Sequence, residues 1–152
     1  MRRGKVSAVI PATCAEAFDL IHDYDRRLEW DTLLRAAYLD DGFTEAGKGV
    51  TSVCVGRRAV GGLAVRTRYV SFDRPKLAAV EMINLPPLFS TWAASIRHAE
   101  ETPGSSRVTY TFSFRARPRW LAWLFEPIML RVFHWETKKR LKALAAYFAA
   151  RN

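Results

Sequence analysis

No other segment limits the fold as much as residues 118–152, the longest stretch that reads as helix. At about one hundred degrees per residue, Leu130, Thr137, Leu141, Leu144 and Phe148 form one stripe, with Phe133 at its edge, while Lys138, Lys139 and Lys142 fall away from it. The second half is an ordinary amphipathic helix. The first half differs. Ile128, Val132 and Trp135 lie roughly opposite the stripe, so this part is apolar nearly all round. Such a helix is covered on every side, or it faces something other than water. Pro118 suits a first helical turn. Pro127 is expected to break or kink the helix, leaving 120–126 as a separate turn or lid piece and 128–148 as the long helix proper.

The rest of the chain must supply cover, and it reads mostly as strand. Residues 5–10 form a short strand ending at Pro11. Thr13 and Glu16 have capping-box spacing, and a short helix through Phe18, Leu20 and Ile21 should follow. A second short helical piece over 24–30 is expected to carry Asp25, Arg26, Arg27 and Glu29 outward. Strands are then expected over 36–40, 50–55, 63–72, 77–83, 89–99 and 107–115, separated by Gly, Pro and Asp turn signals. In the last, Val108, Tyr110, Phe112 and Phe114 share one face; in the one before, Trp92, Ala94 and Ile96 do; in 63–72, Val65, Thr67 and Tyr69 do. Alternation of this kind describes an antiparallel sheet with one covered and one wet face. Short turns between consecutive strands favour a meander. The class is α+β: a seven-stranded curved antiparallel sheet wrapped around a long C-terminal helix, with two short helices after strand 1, in a single domain over 1–152. A sheet of this curvature is not expected to close at both ends over residues as small as Ala93, Ala94, Ser95, Gly61 and Gly62, so a large apolar space should remain.

Bulk properties narrow the function classes. The net charge of +9 permits attraction to nucleic acid or anionic lipid, but the basic residues are dispersed, and the densest group, Lys138, Lys139, Arg140 and Lys142, reads as a solvated helix face. Aromatic and basic residues do not alternate on one strand face as in an RNA-binding sheet, which makes nucleic acid unlikely as a partner. Cys14 and Cys54 have no zinc-ligand spacing and read as small buried hydrophobes. His22, His98 and His134 have no metal spacing either, and no cofactor is implied. Neither a secretory signal nor a run of transmembrane length is expected, which fits a cytoplasmic protein.

Certain residues also carry a resemblance. Val9-Ile10-Pro11-Ala12 precedes a helix with Glu16-Ala17-Phe18-Asp19-Leu20-Ile21. Asp23-Tyr24 leads to Glu29-Trp30-Asp31, Gly47-Lys48-Gly49 opens a strand, Tyr110-Thr111-Phe112 lies in the last strand, and a long helix closes the chain. In this order of elements, over its whole length, the chain resembles the SRPBCC superfamily, the START-like or birch-allergen-like helix-grip fold, which includes bacterial polyketide cyclase/dehydrase and lipid-transport proteins. The resemblance implies a cavity between sheet and long helix that takes a hydrophobic small molecule, whether lipid, isoprenoid or polyketide-like. It leaves open a carrier or a polyketide cyclase/aromatase-type enzyme. A third reading is a basic module for an anionic membrane or nucleic acid.

Tyr69, Trp92, Tyr110, Phe112, Phe125, Met129 and Phe133 are the residues expected to face that space, and Glu81, His134 and Glu136 are the candidate polar pocket groups. No catalytic constellation is legible: G-x-S-x-G, HExxH and phosphate-binding glycine loops are all missing from the sequence. Glu136 and Arg140, four apart, read as a surface ion pair, and His22 as a helix-end cation beside Asp23. Alternation puts Arg66, Arg68 and Arg97 on the wet face. Loops 57–63 and 84–89 are placed at the mouth, where Arg57, Arg58 and an apolar lip would meet an anionic membrane. Trp120, Trp123 and Trp135 leave open a lid, a membrane contact or a homodimer.

Overall fold

The computed structural model describes residues 1–151. Its elements run β1 (Arg2–Ile10), α1 (Cys14–Ile21), β2 (Leu34–Leu39), β3 (Thr51–Gly56), β4 (Ala64–Asp73), β5 (Leu77–Met82), β6 (Phe89–Thr102), β7 (Ser105–Ala116) and α2 (Ala122–Ala149), with 3₁₀ turns at Arg27–Glu29, Arg58–Val60 and Arg119–Leu121. The seven strands form one curled antiparallel sheet, ordered β1-β7-β6-β5-β4-β3-β2. Strands β2 to β7 are the expected meander, and β1 returns to pair with β7 from Arg2↔Phe114 to Ile10↔Ser106. This is the helix-grip fold.

The alternating strands determine what the concave face presents. Val108, Tyr110, Phe112 and Phe114 of β7 are all buried there, as are Tyr69 of β4 and Ala78 of β5. Gly4 makes room for one of them: a Cβ at this position would stand 2.3 Å from Cζ of Phe112. At the start of α1, Thr13 and Glu16 form the expected capping box, Thr13 N donating to Glu16 Oε1 and Glu16 N to Thr13 Oγ1.

The long helix α2 packs against β1 and β7, on one flank of the sheet. Leu141 and Leu144 are buried in that contact, and Phe133 lies against Phe89, Phe112 and Phe114, with ring centroids 5.3–5.8 Å apart. Glu126 ties down the start of the helix, accepting from Ala116 N and standing 3.6 Å from Arg2. The helix leans on one flank, so the space over β3, β4 and β5 is not filled by it.

Three local expectations are corrected. The second short helix contracts to the single 3₁₀ turn Arg27–Glu29, and Arg27 points inward, 6% exposed. Pro127 does not divide the long helix, which is continuous through it. It stands in the second turn, where only the Trp123 carbonyl loses its donor, and that end of the helix is exposed to water. Segment 120–126 is therefore not a separate lid piece. Last, Ala93 and Ser95 are not what holds the interior open, for they belong to the opposite face of β6. The small residues facing inward are Cys54, Gly56, Ala78 and Ala94.

Candidate functional site: a cavity with an apolar mouth and a charged floor

Between α2 and strands β3–β6 lies a cavity of about 320 Å³. This is within the range of small-molecule sites, about 300–1,000 Å³. Most of its wall is apolar. Val65, Val80, Trp92, Ile96 and Phe112 come from the sheet, and Met129, Val132 and Phe133 from α2. Its mouth is marked by residues that line the cavity and are also exposed: Leu88 at 44%, Ile128 at 57% and Val132 at 46%. Leu88 has φ 75°, a left-handed conformation rare for a leucine. Arg117 N donates to its carbonyl, and the Arg117 side chain donates to the carbonyls of Leu85 and Pro86, so the lip is held in place.

The opposite end is polar and draws on the 3₁₀ turn Arg27–Glu29, on α2 and on strands β3, β4 and β7. Asp31, 3% exposed, sits just beyond the 3₁₀ turn that carries Arg27. Arg27 Nε donates to Asp31 Oδ2 at 2.8 Å, and Arg140, from α2, donates through Nε to Oδ1 at 3.0 Å and through Nη2 to Oδ2 at 2.9 Å. Leu33 N donates a fourth bond, to Oδ1, at 3.1 Å. Although burial by itself would raise the Asp31 carboxyl, the guanidiniums of Arg140 and Arg27 and their hydrogen bonds outweigh it and bring the pKa down to about 2. Arg27 also lies over the rings of Tyr24 and Trp30, and Arg140 over that of Tyr110, with centroids 5.2–5.4 Å away.

A hydrogen-bond chain runs beside this triad. His22 Nδ1 and the Tyr69 hydroxyl are 2.7 Å apart, Tyr69 and Tyr24 hydroxyls 2.9 Å, Tyr24 donates to Ser52 Oγ at 3.2 Å, and Ser52 meets Thr67 Oγ1 at 2.8 Å. Because Tyr24 donates onward, it accepts from Tyr69, and Tyr69 in turn accepts from His22; the His22 proton is thus on Nδ1. Burial, helped by the Arg27 charge, pushes the His22 pKa well below its ordinary value, so the ring is neutral. Burial pushes the Tyr69 and Tyr24 phenols and the Cys54 thiol up, so all three stay protonated at neutral pH.

Of the residues singled out in the sequence, Tyr69, Trp92, Tyr110, Phe112, Met129 and Phe133 line the cavity, and Phe125 does not. Phe125 precedes Met129 by one turn, at the level of the anchoring Glu126, beyond the space the sheet leaves open. Among the polar candidates, Glu136 lines the cavity. Glu81 is on the outer face of the sheet, paired with Arg68 and Ala93 in register, and His134 is exposed on the solvent side of α2. The supposed surface pair of Glu136 and Arg140 is neither a pair nor on the surface: Arg140 holds Asp31, while Glu136 lies 3.6 Å from Arg57 and 3.7 Å from Lys139. His22 is no helix-end cation, being buried and neutral.

Sequence reasoning missed Arg27, Asp31 and His22 as floor residues. One signal was present for Arg140, which follows Phe133 by two helical turns and so shares its inward face. Among the described residues, no group of three or more His, Cys, Asp or Glu is arranged to hold a metal ion, and no helix formed by them is long and apolar enough to cross a membrane.

The curled sheet, the gripping helix and the cavity between them define a helix-grip protein with an interior built around an apolar space. The chain matches the family described as polyketide cyclase/dehydrase and lipid transport over residues 1–149 and belongs to it. Among curated proteins none matches in sequence. Solved structures share the fold. A START superfamily protein from Mycobacterium smegmatis has a TM-score of 0.80 at 8% identity, with 99% of each chain covered. The Zhui aromatase/cyclase from Streptomyces sp. R1128 has a TM-score of 0.78 at 13% identity, covering 99% of this chain and 94% of that one. The protein XoxI from Bacillus cereus has a TM-score of 0.75 at 18% identity, covering 98% and 96%.

Proposed function

We propose that the protein binds a hydrophobic small molecule in this cavity and acts as a carrier or binding protein. The cavity itself carries the reading: a space of about 320 Å³ with an apolar wall and a mouth of exposed Leu88, Ile128 and Val132. A core of ordinary density leaves no such void. The state of the wall groups favours binding over catalysis. His22 is neutral, and Tyr24, Tyr69 and Cys54 are held protonated, so none of these four is poised to exchange a proton near neutral pH. Family membership and the aromatase/cyclase likeness keep the cyclase as the competing activity, for which Tyr69 and Tyr110 would be the groups in contact with substrate.

The test uses an apolar fluorescent probe, N-phenyl-1-naphthylamine, with the wild type and with Ala94→Phe. The new ring would enter the cavity between Val80 and Phe112, the cross-strand neighbours of Ala94. Saturable binding by the wild type and its loss in a folded Ala94→Phe supports the reading. Absence of binding by the wild type, or equal binding by both, overturns it.

A second reading concerns the outside of the mouth and is favoured by one observation. Trp120, Trp123 and Trp135 are 74%, 71% and 66% exposed. Leu124, Ile128 and Trp135 fall on one outer stripe of α2, and Arg131, Lys138 and Lys142 continue it, all exposed. Tryptophan with adjacent basic charge suits the interface of an anionic bilayer. Sedimentation with phosphatidylcholine vesicles, with and without phosphatidylserine, tests it. Binding that requires phosphatidylserine and is lost on Trp120→Ser/Trp123→Ser/Trp135→Ser is the expected result. A stable dimer in ultracentrifugation that dissociates in the same variant would instead assign the face to a second copy.

A further inference from the structure

The cavity floor carries a charge that the chain does not neutralise. Arg27 and Arg140 both line the cavity and both are buried, yet they share one carboxylate, Asp31. That carboxylate is saturated by four donors, from Arg27, Arg140 twice, and Leu33 N. Glu136, the other carboxylate on the wall, is no substitute: it lies next to cations of its own, Arg57 and Lys139. The triad thus retains one positive charge inside a largely apolar enclosure. A buried charge without a counter-ion is costly, and the rings of Tyr24, Trp30 and Tyr110 relieve this only in part. Donor capacity is left as well. Arg140 Nη1 makes only a 3.5 Å contact with the Tyr110 hydroxyl, and Arg27 Nη2 has no acceptor among the described residues.

We infer that the cavity is built for an amphiphile with a single carboxylate head. The head meets Arg27 and Arg140 at the floor, and the apolar body extends past Val80 and Phe112 toward Leu88 and Ile128 at the mouth. One unmatched charge fits a monoanion rather than a phosphate dianion, and planar guanidiniums suit a planar carboxylate. The chain of neutral donors at His22, Tyr69 and Tyr24 flanks the same end and would not repel it. The inference rests on the reading of the cavity as a ligand site and adds polarity to it: the ligand enters head first.

The wild type supplies the decisive comparison. Binding of dodecanoate, dodecanol and methyl dodecanoate, which share a chain and differ at the head, is measured by calorimetry at neutral pH. Dodecanoate is expected to bind at least tenfold more tightly than the two neutral compounds. Arg27→Met, which leaves Asp31 paired with Arg140 and the floor neutral, is expected to remove that preference. Equal affinity for the three compounds would overturn the head-group assignment and leave the carrier reading standing. A preference that persists in Arg27→Met would overturn it as well. Binding of none of the three would remove both.

Discussion

The two ends of the cavity break the ordinary rule of burial in opposite directions. Around the mouth and along the outer side of α2 and the turn before it, large apolar side chains face water: Leu88, Ile128, Trp120, Trp123 and Trp135. At the floor, Arg27, Asp31, Arg140 and His22 are shut away from it. Buried polar groups and clustered exposed apolar ones are the informative exceptions in a folded protein. One helix carries both. Along α2 the inward face passes from Met129 and Phe133 through Glu136 and Arg140 to the packed Leu141 and Leu144, while the outer face passes from Leu124 and Trp135 to Lys138 and Lys142. Under the two proposals above, an amphiphile would answer the charge at the floor and an anionic bilayer the apolar surface at the mouth.

If the floor is a charge balance and the mouth is not structural, substitutions at the two ends should differ sharply in their effect on stability. Asp31→Asn leaves two buried guanidiniums without their anion and should cost about 3–5 kcal/mol, read by chemical denaturation. Replacing all three residues, as Arg27→Met/Asp31→Leu/Arg140→Met, should recover most of that loss while abolishing any preference for dodecanoate. Recovery of neither would mean that the triad acts through shape rather than charge.

Acid separates Asp31 from the buried histidines His22 and His98. His98 lies against Phe18, with both ring nitrogens buried and unpartnered, and burial brings its pKa down to about 4. Its folded pKa lies below the ordinary 6.5, so stability is full above that pH and falls as pH drops toward 4, by about 3 kcal/mol at roughly 1.4 kcal/mol per unit. His98→Phe should reduce this slope and leave the part due to His22, whose folded pKa is also lowered by burial. Asp31, with a folded pKa of about 2 against an ordinary 3.8, contributes at higher pH and loses about 2 kcal/mol between those two values. Thermal unfolding followed from pH 7 to pH 2 resolves the two windows.

Tyr69→Phe removes the hydroxyl that joins His22 to Tyr24 and should cost about 1–3 kcal/mol. A smaller loss would mean that water replaces the hydroxyl. Least of all, Trp120→Ser, Trp123→Ser and Trp135→Ser should change stability by no more than about 0.5 kcal/mol each. Their effect should appear in vesicle sedimentation alone. A large stability loss at any of the three would show that the mouth is covered by the protein itself.

Much of the fold was legible because its signals are local. Val108, Tyr110, Phe112 and Phe114 alternate with polar neighbours, Thr13 and Glu16 have the spacing of a capping box, and the Leu141–Leu144–Phe148 stripe has the helical period. Six of the seven residues expected to line the cavity do line it: a strand's period of two turns Tyr69, Trp92, Tyr110 and Phe112 inward, and the helical period does the same for Met129 and Phe133. The seventh, Phe125, shows the limit: periodicity predicts a direction but not how far along the helix the open space extends. Arg27 was read as outward because a charged residue in a short helical piece normally is. Only the partner Asp31, helped by the rings of Tyr24 and Trp30, makes its burial tolerable.

The sequence by itself determined which residues alternate and turn, since those choices depend on neighbours a few positions away. The tertiary structure alone decided where the helix rests on the sheet. Contact chiefly with β1 and β7 opens the cavity, and it brings Arg140 to Asp31 across 109 positions of chain. Both results come from the geometry of packing a straight helix on a curled sheet, which no local pattern records.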